Sequence, residues 1–359
     1  MNKASVAFWN RGFSDLLTPL PLEYRIGPYS WSVFGGPKTA EIYANGKDIY
    51  LWELTKYARR PVEILSGKGD KVWWGFINEI NIKMGKWTII VSMETLANYI
   101  GVVYEDDADS GSAKKTSWAE ATDSTAEYGR KELLLTSSSS NQAFAEAGRD
   151  KYLAEKKYPM PMISPGVGIT NGATLYCKGW IETLAYRYYA ETGTDQVDTA
   201  TQISAIATNC GEFITGVDVD NTSGINTAET RDGLANGLFE INELLKMGTS
   251  NNRRLLCEVT SGRRLRIYEE PTVPLLKYKI LNDGNLLDPY DTEVRKETCP
   301  VGMWAEYKNI LPLSMDTTIL MDPRLIFVDE CEYDPETEKI TPIPRGFIDP
   351  FTIGRPNDG

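Results

Sequence analysis

The chain has 359 residues, 50 acidic side chains against 38 basic ones, a formal net charge of −12 and no histidine. The missing imidazole excludes Ser-His-Asp and Cys-His catalysis, histidine-ligated zinc or haem, and the usual proton shuttle of neutral pH; carboxylate, lysine, tyrosine and thiol chemistry remain. The acidic balance argues against specific nucleic-acid binding or adhesion to an anionic membrane, and the length allows roughly two to four domains.

Residues 1–24 read as an extended N-terminal arm, because the prolines of Thr18-Pro19-Leu20-Pro21-Leu22 disfavour helix and suit a segment laid on a neighbouring subunit. Residues 25–105 read as a first β domain. Strands are expected over 29–34 and 39–43 around the Gly35-Gly36-Pro37 break, then a helix over 49–58 capped by Asp48. Pro61 opens a strand over 62–65, the turn Ser66-Gly67-Lys68-Gly69-Asp70 leads into another over 72–77, and a further strand ends near Ser92.

Residues 106–172 read as a loop and helical connector. The acidic, Gly/Ser/Lys-rich stretch 105–117 is expected to be mobile. Helices are expected over 118–128 and 141–157, the second capped from Ser137-Ser138-Ser139-Ser140 and stopped by Pro159 and Pro161. Residues 173–271 read as a second, α+β domain with a strand over 213–217. Its helices are expected over 197–209, capped by Thr194-Asp195, and over 231–246, stopped by Gly248. Strands 255–260 and 263–268 are joined by the hairpin signal Ser261-Gly262. Residues 272–359 read as a C-terminal β-rich segment whose tail, 349–359, is expected to be irregular and able to reach another subunit.

One phrase occurs twice. Residues 87–105 read WTIIVSMETLANYIGVVYE and residues 173–191 read ATLYCKGWIETLAYRYYAE, sharing Glu-Thr-Leu-Ala at 94–97 and 182–185. An Arg-Arg pair also opens a strand at Arg59-Arg60 and again at Arg253-Arg254. Such self-similarity points to an internal duplication, with each phrase a strand feeding a short helix in one of two similar β domains.

Residues able to carry chemistry are few in kind. Cys177, Cys210, Cys257, Cys299 and Cys331 are widely spaced with no Cys-x-x-Cys, which fits free buried thiols in a reducing cytoplasm. No apolar run is long enough to span a membrane, and MNKASVAFWNRG lacks an apolar signal core, so a soluble product without a secretion signal is expected. Asp218-Val219-Asp220-Asn221 with Gly224 and Glu229 misplaces the glycine of a calcium loop and reads as a polar turn. Gly166-Val167-Gly168 with Gly172 precedes a strand where a nucleotide loop needs a helix. The carboxylate pairs Asp106-Asp107, Glu269-Glu270 and Asp329-Glu330 read as exposed charge. Arg264 and Arg266 share a strand face, solvated or turned to an acidic partner. Trp73-Trp74 places one indole on each strand face, so at most one enters the core of its own domain. The other would cover a helix, meet a subunit or stack on sugar. No catalytic, cofactor-binding or metal-ligating residue is expected.

Four blocks carry a family resemblance. They are Gly35-Gly36-Pro37-Lys38-Thr39-Ala40 with the strand pair containing Trp73-Trp74-Gly75; the Tyr-Gly-Arg joint Glu127-Tyr128-Gly129-Arg130-Lys131-Glu132; Leu175-Tyr176-Cys177-Lys178-Gly179-Trp180; and Cys299-Pro300-Val301-Gly302-Met303-Trp304 with 327–333. Over about residues 25–335 the pattern resembles the tail-tip or baseplate hub proteins of tailed bacteriophages, related to late control protein D. The resemblance implies an α+β, β-rich fold of two related β-barrel-like domains joined by α/β segments. It implies a virion structural protein made in the host bacterial cytoplasm, acting in host attachment as a homo-oligomeric ring, a trimer first and a hexamer second. The tail tube, the distal tail and a spike or fibres would be its partners. It brings no catalytic residue and no cofactor. The alternatives are a distal-tail ring or other tail adaptor and, from another class, a carbohydrate-active enzyme cleaving host glycans with a carboxylate pair.

Overall fold

The computed structural model describes residues 4–106, 112–138, 140–166, 171–271, 278–280, 286–289, 304–306, 325–337 and 339–344. The α+β, β-rich class holds. In chain order come β1 (Ser5–Phe8), β2 (Glu23–Ser32), β3 (Phe34–Asn45), α1 (Asp48–Glu53), β4 (Pro61–Leu65), β5 (Lys71–Met84) and β6 (Trp87–Ser92). Next are β7 (Tyr99–Asp106), β8 (Ser112–Lys115), β9 (Ala119–Glu120), α2 (Thr122–Tyr128), β10 (Glu132–Thr136), α3 (Gln142–Lys156) and β11 (Met162–Pro165). They are followed by β12 (Gly172–Gly179), β13 (Tyr188–Glu191), β14 (Gln196–Asp198), α4 (Thr199–Cys210), β15 (Gly216–Val219), β16 (Asn226–Ala228), β17 (Arg231–Asn236) and α5 (Gly237–Lys246). The hairpin β18 (Leu255–Val259) and β19 (Arg264–Glu269) precedes β20 (Tyr278–Ile280), β21 (Leu286–Pro289), β22 (Trp304–Glu306), β23 (Leu325–Asp334) and β24 (Lys339–Pro344).

One large sheet organises the molecule, with the path β1-β4-β5-β12-β3-β18-β19-β15 and with β6, β11, β2, β23, β24 and β22 joined at its sides. β5 is its axis. Residues 72–78 are all buried because both faces of the strand are covered. Trp73 therefore sits in the core, and Trp74 on the other face packs edge-on against Trp31 at 4.9 Å and donates its indole N–H to the Val259 carbonyl at 2.8 Å. The expectation of a single core indole fails, since a strand covered on both sides buries both. A smaller sheet, β10-β7-β8 with β9 on β7, packs under α3 around Val102, Tyr104 and Ala145.

The two Glu-Thr-Leu-Ala phrases share a local form. β6 runs into a 3₁₀ turn at Met93–Thr95, and β12 into one at Trp180–Tyr186. They do not lie in separate β domains: β6 and β12 flank the same strand, so that Ile82 of β5 faces Ile89 on one side and Ala173 on the other. The sheet also runs across the boundary expected at residues 172/173, because β12 pairs with β3 and β5 of the first segment.

The N-terminal segment also departs from expectation. Ser5–Phe8 pairs antiparallel with β4, Phe8 is fully buried, and Leu17, Leu20 and Leu22 pack on the same core. Alternating Val6 and Phe8 form an ordinary strand, and Pro19 and Pro21 restrict only the stretch after it. Helix starts differ too. Asp48 lies in the first turn of α1 behind Lys47, and 3₁₀ geometry takes over at Leu54–Tyr57. Asn141 caps α3, Asp198 caps α4 and Asn236 caps α5, each side chain accepting from a first-turn N–H. Thr194-Asp195 and Arg231 instead precede or begin short strands, and α2 starts at Thr122 because Ala119–Glu120 is held against β7. Within 105–117, Ser112–Lys115 is a strand on β7. The strand expected over 213–217 lies at Gly216–Val219, and the β18–β19 turn is wider than two residues, with Thr260 N–H bonded to the Arg264 carbonyl. Residues 107–111, Val167-Gly168, the 299–303 block with Cys299, and the tail 345–359 lie outside the described residues.

Gly179 ends β12 opposite Gly75 of β5, and a Cβ on it would collide with the Pro37 carbonyl oxygen. Backbone cannot yield as a flexible side chain does. Gly179→Ala is therefore expected to destabilise the chain by about 2 kcal/mol, read as a lowered urea midpoint at unchanged slope. A neutral outcome would show that β12 and β3 can separate.

Candidate functional site

The densest polar construction lies beside β5. Arg59 follows the 3₁₀ turn before β4 and adopts φ +66°, an uncommon conformation for a residue with a Cβ. Its N–H bonds the Ile77 carbonyl at 2.8 Å, and its side chain, 1% exposed, turns inward. The guanidinium lies 4.1 Å from the Tyr186 ring centre and 4.4 Å from that of Phe76, and Nη2 donates to Glu212 Oε2 at 2.5 Å. Arg11, from the N-terminal hairpin closed by Trp9 and Leu16, pairs with the other oxygen of Glu212. Gly129 of the Tyr-Gly-Arg joint (φ +77°) abuts this pair, and a Cβ there would collide with both Arg11 and Glu212. Burial opposes the Glu212 charge, but the two guanidinium groups outweigh it and hold the carboxyl below the usual glutamate range.

A second layer continues from Tyr186. Asn78 is the extra residue where the β5–β12 register shifts. Its amide oxygen accepts from Tyr186 OH at 3.1 Å, and its Nδ2 donates to Glu94 Oε1 at 3.3 Å. Lys178 Nζ donates to the same Glu94 oxygen at 2.8 Å, and Lys131 Nζ reaches the Met93 carbonyl at 2.6 Å. The phrase glutamate Glu94 thus meets the other phrase through Asn78 and Tyr186. Burial works against the Glu94 charge, yet the Lys178 hydrogen bond and the nearby Lys131 ammonium pull its carboxyl down. Burial lowers the Lys131 amine to about 8, with Glu94 opposing the shift and Arg59 and Lys178 adding to it.

The candidates noted in the sequence are engaged elsewhere. Arg254 binds Glu270 at 2.8 Å and Asp329 at 2.6 Å, Lys38 binds Glu330 at 2.8 Å, and Glu269 accepts from Thr249 at 2.9 Å. Asp106 pairs with Lys114, and Asp107 is outside the described residues. Asp218 and Asp220 face Arg264 and Arg266 across the parallel β15–β19 pair, so the arginine face meets the chain's own acids. Glu229 lies on the far side of β16, its N–H bonded to the Asp195 carbonyl. Cys177, Cys210, Cys257 and Cys331 are free and buried, and burial raises the Cys257 and Cys210 thiols to about 12. Among the described residues no three His, Cys, Asp or Glu side chains gather as a metal site.

Sequence reading missed the Arg11–Glu212–Arg59 group. Its one local signal was an arginine pair wedged between a buried helix end and Pro61. What the arrangement does chemically is tie segments together: the N-terminal hairpin, β4, the joint and the loop after α4 meet at one carboxylate.

No family model matches the chain, and no curated protein matches its sequence. Among solved structures it is similar to the 43 kDa tail protein of prophage MuSo2 from Shewanella oneidensis. That likeness has 7% identity and a TM-score of 0.47 over 99% of this chain and 97% of that one. It is also similar to a tail protein from Neisseria meningitidis MC58, at 7% identity and a TM-score of 0.38 over 95% and 96% of the two chains.

Two outcomes test the polar group. Glu212→Ala strands two guanidinium groups in the interior and is expected to cost about 3–5 kcal/mol in urea unfolding. Because the folded carboxyl titrates low, its stabilisation is complete above the unfolded glutamate range and is lost as pH falls through the folded value. The variant's stability should therefore fall less on acidification than that of the parent. Lys131 should titrate near 8 in a ¹³Cε spectrum while Lys178, held by Glu94, titrates above the ordinary lysine range. With the folded value depressed, stability gains from this site as pH climbs from about 8 towards the unfolded value. A Lys131 signal moving with the bulk lysines would refute its burial.

Proposed function

We propose that the chain is a structural protein of a phage tail, a ring subunit of the tail tip or baseplate hub linking the tube to a distal spike or fibres. The sequence blocks support the family. The observation that carries the assembly role is the open side of β11. Among the described residues this strand pairs only with β6, and all four of its residues are exposed. Ile163, 63% exposed, lies diagonal to Trp87, 55% exposed, on one face; Met162 lies on the other, with exposed Met160 just before the strand. Large apolar groups lining a sheet edge are the kind of surface that subunits bury against each other.

In this reading the self-contained core keeps the protomer rigid, and the β11 edge meets a neighbouring copy in a ring, a trimer first. Tail proteins above and below would occupy the ring's two ends, in the virion. The carbohydrate-active alternative loses the Trp73-Trp74 pair as a stacking platform, because both indoles are buried.

Sedimentation and negative-stain microscopy of the purified chain should show a closed ring at micromolar concentration. Trp87→Glu with Ile163→Asp should give a monomer of unchanged far-UV circular dichroism. A parent chain that stays monomeric, or a variant that still closes the ring, would overturn the role assigned to this edge.

A further inference from the structure

The outer face of the central sheet holds a depression of about 250 Å³ whose lining includes Thr39, Glu41, Asn78, Tyr176 and Lys178. The Tyr176 side chain of β12 is 38% exposed there. The register places it directly opposite Glu41 of β3 and directly opposite Glu79 of β5. Residues opposite one another across a sheet share a face, about 5 Å apart at Cβ. A phenol ring therefore stands between two carboxylates. Glu41 accepts from Tyr43 OH at 2.6 Å, and neither Glu41 nor Glu79 has an ion-pair partner among the described residues. Lys178, two residues along, is held by Glu94 at 2.8 Å.

The same face already contains an arginine on a tyrosine. Arg25 of β2 lies opposite Tyr43, its guanidinium carbon 4.9 Å from the ring centre, and pairs with Glu336. Tyr176 has a comparable ring and two carboxylates, but no cation lies over it among the described residues. A guanidinium suits the arrangement: it is planar, weakly hydrated, stacks on an aromatic face and donates laterally to carboxylates.

We propose that the Glu41–Tyr176–Glu79 row receives an arginine side chain of a partner protein, the guanidinium lying on the ring and bridging the two carboxylates. The partner's contact surface is basic, which complements a chain of net charge −12. This inference is independent of the tail reading, because the row is complete within one copy and a monomeric chain would still bind.

The test uses the full chain and three probes, N-acetyl-arginine amide, its neutral citrulline counterpart and N-acetylglucosamine, followed by backbone amide shifts. The arginine probe should give saturable millimolar shifts at Glu41, Tyr176 and Glu79, and the other two none there. Glu41→Gln and Glu79→Gln should each weaken binding about two- to fivefold; Tyr176→Phe should keep it and Tyr176→Ser should lose it. Equal shifts with citrulline, preferential binding of the sugar, or arginine shifts mapping to other acidic groups would each overturn the assignment. The comparison of probes on the parent chain stands even where a variant fails to fold.

Discussion

The Glu212 carboxylate, buried between Arg59 and Arg11, is the contact on which the remainder of the molecule leans. An ion pair in the interior is not in itself a source of stability, because desolvation offsets most of the Coulombic gain. Its force here is conditional. Once one guanidinium is inside, every segment that completes its surroundings is compelled to be present. Phe76 and Tyr186 cover the Arg59 faces, Arg11 brings in the N-terminal hairpin, and Gly129 leaves the space that the pair occupies. Six separate stretches of chain, around residues 11, 59, 76, 129, 186 and 212, are thereby registered against one another at a single point.

Much of the local structure was legible in the sequence. The Ser66–Asp70 turn reads correctly because glycine and a serine hydroxyl supply the bonds a tight turn needs: Ser66 N–H meets the Asp70 carbonyl and Lys68 N–H meets Ser66 Oγ. The shared face of Arg264 and Arg266 follows from strand periodicity alone. Their acidic counterparts did not, since Asp218 and Asp220 approach through a parallel pairing with no sequence signature. Helix starts were placed too early at 197 and 231, where residues 196–198 and 231–236 are short strands ahead of the helices. The capping side chains Asp198 and Asn236 decide where one becomes the other.

What sequence could not supply was long-range partnership. Arg59 and Glu212 lie 153 residues apart, and nothing in either neighbourhood names the other. The duplicated phrase was correctly seen as one local form used twice. Its placement on both sides of β5 arises because an antiparallel central strand offers two equivalent edges, and similar segments suit either. Edge chemistry is consistent with this economy. β11 ends in Pro165 and β24 contains Pro342 and Pro344, which lack the N–H needed for indiscriminate strand addition. On β11 the apolar side chains stay available while the backbone is partly blocked.

The insertion of β12 between β3 and β5 has a consequence for how the protein is made. Both flanking strands leave the ribosome long before their common neighbour, since everything from Asn45 to Gly172 separates β3 from β12. At ordinary elongation rates that is a delay on the order of ten seconds. Throughout it, two hydrophobic strand edges at the middle of the future sheet have no partner from their own chain. The nascent polypeptide must therefore be shielded or fold late, and a message truncated before residue 179 would release an aggregation-prone half-sheet instead of a smaller stable domain.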